Sequence, residues 1–123
     1  MNVLFLDDNP RRTEMFLAAL VDSGHTIDTC ETAKDCIELL QSNSYDCIRL
    51  DHDLGGEYWV ESERDDCGMA VVRWIVENKP QIPKIIIHSH NVKAAKEMCR
   101  QLREAKYVTL YIPFGEEHPN YRD

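Results

Sequence analysis

Two apolar periodicities alternate along this chain of 123 residues. Residues 3–6, 47–50 and 84–87 are short, nearly continuous apolar runs, the pattern of strands buried on both faces. Weaker strand patterns cover 25–29 and 108–112. Between them, apolar side chains recur at helical spacing. Met15, Phe16, Ala18, Ala19 and Leu20 form a stripe over 11–21 that Gly24 ends. Ala33, Cys36, Ile37 and Leu40 form another over 31–40, with Thr32 as its cap. Met69, Val72, Ile75 and Val76 line a helix over 68–76 whose exit Pro80 and Pro83 frame, and a fourth helix covers 94–105. Strands alternating with helices of this length imply right-handed β-α-β units and a parallel sheet covered on both faces. The expected class is α/β: one doubly wound domain over residues 1–123, with room for one core. The polar residues 115–123 are too few for a sixth strand-helix unit, so a final helix is expected to be short or missing.

The chemically capable side chains collect where the strands end. Asp7 and Asp8 follow the first strand, Asp51, His52 and Asp53 the third, and His88, Ser89 and His90 the fourth. Ligands of an open parallel sheet bind beyond the carboxyl ends of its strands. In the sheet order 2-1-3-4-5 these three strands are neighbours, so all eight residues surround one crevice. Two carboxylates about 4 Å apart repel by about 4 kcal/mol at an effective dielectric of 20. A cluster of them must therefore hold protons or a cation. Asp7, Asp8, Asp51 and Asp53 are the candidate metal ligands. Residues i and i+2 of an extended strand point the same way, which pairs His88 with His90 and Asp51 with Asp53. Carboxylates alone suit magnesium, and an imidazole in the shell shifts the preference towards manganese, iron or zinc. His25, at the start of a strand, reads as structural, and His118, in the polar tail, as solvated.

Composition narrows the field. The formal net charge of −8 disfavours bulk duplex nucleic-acid binding and anionic membranes, yet leaves room for a small phosphate whose charge a bound cation offsets. No apolar run approaches the roughly 20 residues of a membrane span, and the N-terminus enters a strand with no basic leader. A soluble, cytoplasmic protein is expected. The five cysteines contain no C-x-x-C pair and read as reduced, mostly buried thiols. Lys93, Lys96, Arg100, Arg103 and Lys106 form the wet face of the last helix. Residues 57–66 (EYWVESERDD) are a long acidic connection with an aromatic pair, read equally as a lid over the crevice or as a solvated loop.

These motifs resemble a response-regulator receiver domain over nearly the whole chain up to Phe114. LFLDDNP is similar to the receiver's first strand and acidic pair, and YDCIRLDHDLGG to its third strand, with Asp51 at the phosphoacceptor position. IPKIIIHSH and YIPF are similar to its fourth and fifth strands. The resemblance implies a flavodoxin-like sheet of five parallel strands in the order 2-1-3-4-5. Two positions depart from it. His88 stands where receivers carry the hydroxyl that binds the phosphoryl group, and Ile112 where they carry lysine before the proline. LDHDLGG and HSHN are most similar to the atypical cyclic-phosphate-processing receiver domains.

Three functional readings follow. The leading one is a metal-dependent phosphoesterase acting on a cyclic or terminal nucleotide or RNA phosphate. Its divalent metal (manganese, zinc, iron or magnesium) would be held by Asp7, Asp8 and Asp51, with Asp53 or His88 completing the shell. His52, His88 and His90 would be its catalytic imidazoles, and Ser89 and Asn91 its phosphate contacts. The second is a receiver-like module that binds a metal or a partner and turns nothing over. The third keeps Asp51 as a phosphoacceptor with an altered clamp.

Overall fold

The computed structural model describes residues 1–115; the polar tail beyond, with His118, lies outside the described residues. The chain runs β1 (Asn2–Leu6), α1 (Pro10–Leu20), β2 (Thr26–Cys30), α2 (Ala33–Ser42), β3 (Cys47–Leu50), α3 (Gly68–Asn78), β4 (Lys84–Ile87), α4 (Val92–Glu104) and β5 (Thr109–Tyr111). The five strands are parallel, in the order β2-β1-β3-β4-β5. This is the expected architecture, and among the described residues no helix follows β5.

Alternation along the strands divides the interior into two layers. Leu4, Leu6, Ile48, Leu50, Ile85 and Ile87 face the larger core, with the apolar sides of α2, α3 and α4. Val3, Phe5, Cys47 and Ile86 face a smaller one covered by α1 through Phe16 and Leu20. The stripe expected on α1 is narrower than its composition suggests. Met15 is half exposed and Ala18 is exposed, because among the described residues α1 is the one helix on this face and buries only Phe16 and Leu20. Arg49 interrupts the apolar run of β3 on the same side. It is buried, with its guanidinium 5.0 Å over the Phe16 ring.

Capping fixes the helix starts. Asn9 accepts from the backbone N–H groups of Arg11 and Arg12, and Pro10 opens α1 one residue earlier than expected. Thr32 accepts from Asp35 N and starts α2 after, not before, the cap. Lys79, in the left-handed conformation (φ 54°), closes α3 by donating its N–H to Ile75 O. All five cysteines are buried and unbridged. Lys93, Lys96, Arg100, Arg103 and Lys106 are exposed, as their spacing predicts. His25 is half-buried, its Nδ1 3.1 Å from the terminal amine of Met1. No helix among the described residues is long and apolar enough to cross a membrane.

Candidate functional site

Register brings the site together. Leu6, Leu50 and Ile87 are level neighbours at the ends of β1, β3 and β4. The next residue of each strand, Asp7, Asp51 and His88, continues the ladder by one hydrogen bond: Asp7 N to Cys30 O, Asp51 N to Leu6 O, His88 N to Leu50 O. All three are buried, and each offers one ligand atom within 4.8 Å of the other two. His88 Nε2 lies 3.0 Å from Asp7 Oδ2, and the ring stacks on Phe5 at 4.9 Å and meets Phe114 edge-on.

Arg12, reaching back from the first turn of α1, closes the cluster. Its Nη2 is 3.1 Å from Asp7 and 3.4 Å from Asp51. Burial pushes the Asp51 carboxyl up to about 7, and neighbouring Asp7 adds to the rise. Burial acts on Asp7 in the same direction. The His88 hydrogen bond, the Asn9 N–H and the Arg12 charge outweigh it and hold Asp7 below the usual carboxylate range. Complete burial keeps His88 neutral despite its Asp7 partner, with the charge of Arg49 acting the same way. A neutral His88 donates through Nε2 to Asp7, which leaves Nδ1 buried without a hydrogen-bond partner.

Asp53 does different work. Its two oxygens accept from four donors: His52 Nδ1 (2.7 Å), Trp59 N (2.8 Å), Asn91 Nδ2 (3.1 Å) and Val60 N (3.2 Å). Burial would raise its pKa, and these bonds, led by His52, lower it. His52 is fully buried behind Asp53, with Nε2 3.0 Å from the Ser62 hydroxyl. Asp8 accepts the N–H of Gly56 at 2.6 Å. Asp8, His52 and Asp53 therefore tie Gly56 and the first part of the acidic connection 57–66 (Trp59, Val60 and Ser62) to the strand ends, and this stretch stands at the crevice as a wall.

The remaining expectations divide. Ser89 is buried, and its hydroxyl accepts Asn91 N. Asn91 caps α4 through Oδ1 and gives its amide N–H to Asp53, so both ends of its side chain are engaged. His90 is exposed and donates to Phe114 O. The i, i+2 alternation that paired His88 with His90, and Asp51 with Asp53, lapses because β4 ends at Ile87 and β3 at Leu50. Beyond those ends His88 is buried and His90 exposed, while Asp51 and Asp53 both border one cavity but bond to different partners, Arg12 for Asp51 and the backbone of Trp59 and Val60 for Asp53.

Sequence reasoning missed Arg12, whose only signal is its position four residues after Asp8, one turn into α1. It also missed Gly68. A Cβ there would lie 1.9 Å from the Asp51 carbonyl oxygen, so α3 can start against the Asp51–His52 backbone only with glycine.

Against Asp51 opens a cavity of about 330 Å³, whose lining includes Asp8, Arg12, Asp53, Tyr58, Trp59, Ser89 and His90. The fold is shared with response regulators. TrrA from Thermotoga maritima, solved with Mg²⁺-BeF, is 21% identical with a TM-score of 0.69, covering 98% of this chain and 89% of that one. A CheY-like receiver domain from Methanospirillum hungatei gives a TM-score of 0.70 at 15% identity, over 96% and 83%. The transcriptional regulatory protein TcrA of Mycobacterium tuberculosis is 30% identical over 56 residues, which span 46% of this chain and 22% of that protein. Residues 2–104 match the model of the cyclic-phosphate processing receiver domain, and the chain belongs to that family.

Proposed function

We propose that the protein is a metal-dependent phosphoesterase acting on a cyclic or terminal phosphate of a nucleotide or RNA end. The observation that carries this reading is the buried group of Asp7, Asp51 and His88, whose Asp51 borders an open cavity. It stands with His88 and Ile112 at the positions where receivers keep the phosphoryl clamp.

The donor set fits a divalent cation. The Asp51 carboxyl is pushed up to about 7 by burial and by neighbouring Asp7, which marks a surplus of negative charge that a cation would relieve. The His88 tautomer favours oxygen ligands. Lending the Nε2 lone pair to a metal would move the ring proton to Nδ1, buried with no acceptor, at about 1–3 kcal/mol. His88 then serves best as the donor that orients Asp7. Asp7 and Asp51 hold the cation, and a hard ion such as magnesium or manganese suits them. When bound, that ion offsets phosphoryl charge and acidifies water.

The chain's own residues supply the rest. Arg12 turns its guanidinium to the phosphate, and the Ser89 hydroxyl donates to a phosphoryl oxygen. His90, exposed at the cavity, exchanges the proton as general acid or base. His52 has no direct access to the cavity and supports the wall through Asp53 and Ser62.

One observation favours the second reading, a binding module without turnover. Arg12 already pairs with Asp7 and Asp51, so the cluster is partly neutralised by the chain itself. The test is hydrolysis of adenosine 2′,3′-cyclic phosphate with magnesium or manganese, followed by phosphorus NMR. Turnover lost in Asp51→Asn and Asp7→Asn, with the fold intact, is the expected result. No turnover of cyclic or linear phosphates by the unaltered protein with magnesium, manganese or zinc rejects the enzyme and leaves the binding module. An intact-mass adduct of one phosphoryl group after acetyl phosphate treatment, absent in Asp51→Asn, would instead favour the phosphoaccepting receiver.

A further inference from the structure

The wall of the cavity carries two aromatic side chains that its own packing does not explain. Tyr58 is 87% and Trp59 73% exposed, in a chain whose other tryptophan is half-buried against the core. Trp59 also sits in the left-handed region at φ 56°, where a bulky side chain is an outlier. The conformation is imposed. Asp53 accepts the N–H groups of Trp59 and Val60, the turn before them is made by Gly55 and Gly56 at φ 76° and 75°, and Asp8 fixes Gly56 N. The same carboxylates that border the buried cluster thus hold the aromatic pair over the cavity.

We propose that Trp59, with Tyr58 beside it, is a stacking wall for one planar heterocycle of the ligand, a nucleobase whose phosphate lies against Arg12 and Asp51. The cavity's lining brings the charged Arg12 and Asp51 together with the aromatic Tyr58 and Trp59, and its roughly 330 Å³ falls at the small end of the range for small-molecule sites. A nucleotide is the class of ligand that joins an anion to a flat ring within one small molecule. The wall reads ring area more than ring identity, because every base offers a π-face and the Asn91 amide beside it is already engaged. A stacked base must be free or unpaired, so a mononucleotide or a single-stranded end is accepted and a paired one is not. This inference rests on the phosphate reading above and adds the group that selects the ligand.

Titration calorimetry in the presence of magnesium tests it with a matched set: adenosine 2′,3′-cyclic phosphate, methyl riboside 2,3-cyclic phosphate, which lacks the base, and adenosine, which lacks the phosphate. Stacking on one aromatic side chain predicts that the nucleotide binds about five- to 150-fold tighter than the baseless analogue. In Trp59→Ala the preference disappears, with the melting temperature showing the fold intact, and in Trp59→Phe most of it is kept. Equal binding of nucleotide and analogue by the unaltered protein overturns the inference and leaves the phosphate reading standing. So does a preference that survives Trp59→Ala. If adenosine binds through Trp59 while neither phosphate does, the stacking wall stands and the phosphate reading falls. If none of the three binds at millimolar concentration, both fall.

Discussion

Replacing Asp51 by asparagine should stabilise the metal-free protein at neutral pH, although it removes a residue from the centre of the candidate site. The Asp51 carboxyl is pushed from 3.8 to about 7, chiefly by burial and then by Asp7. For an acid whose folded pKa is raised, the contribution to stability is fully present below the unfolded value and is lost as pH rises through the folded one. A rise of about three pH units at about 1.4 kcal/mol each gives a penalty of about 4 kcal/mol, developed between pH 4 and pH 7. This is an upper bound, since relaxation around the Arg12 pair, which is partly open to solvent, lowers it. The asparagine would keep an oxygen for the His52 N–H and carry no charge. The assay is denaturant unfolding of both proteins in a chelator at intervals from pH 4 to pH 8. The curves should meet near pH 4 and separate to about 2–4 kcal/mol in favour of Asp51→Asn by pH 8, about 10 °C in Tm for a chain of this size. Added magnesium or manganese should stabilise the unaltered protein most above pH 7, where the proton no longer competes, and leave the variant unmoved. A variant no more stable than the parent at pH 8 would refute the reasoning, because it would mean that Arg12 already balances the Asp51 charge.

Three other perturbations probe the supports of the site. Gly68→Ala places a Cβ into the Asp51 carbonyl and should cost at least about 3 kcal/mol in unfolding free energy; a loss under about 1 kcal/mol would mean that α3 can retreat from the strand end. Asp53→Asn removes the carboxylate that gathers the wall, and amide exchange at Trp59 and Val60 should rise at least about tenfold while β1 and β3 stay protected. Unchanged exchange would deny Asp53 that role. Because the Asp53 pKa is depressed by its donors against the effect of burial, its stabilisation is present at neutral pH and lost as pH falls below about 4, and the wall should loosen there in the parent too. His88→Ala takes the donor from Asp7 and should weaken magnesium affinity by about ten- to 100-fold in calorimetry, whereas an unchanged affinity would show that Asp7 is held well enough by Asn9 and Arg12.

The pattern of apolar residues was enough to give the class and the five strands and four helices, and the strand order implied by the receiver resemblance then gave the crevice where the acids collect. Strands such as CIRL and KIII are buried on both faces, and that burial is written in their composition. The grouping of Asp7, Asp51 and His88 was legible for the same reason, since each directly follows an apolar run whose register the sheet order sets. Tertiary structure alone decided how the remaining polar residues divide. Asp8 and Asp53 differ from Asp7 and Asp51 only by lying one or two residues further out, beyond the last ladder bond, where alternation no longer governs direction. There the partner within reach decides, and for both it is the backbone of the aromatic wall. Arg12 entered the cluster through the turn of α1, and Gly68 was required by an approach of α3 to Asp51 that no local pattern encodes. Local periodicity fixes which residues lie inside. Long-range contacts among groups with several equally good partners fix what each polar residue does, and the sequence does not print those distances.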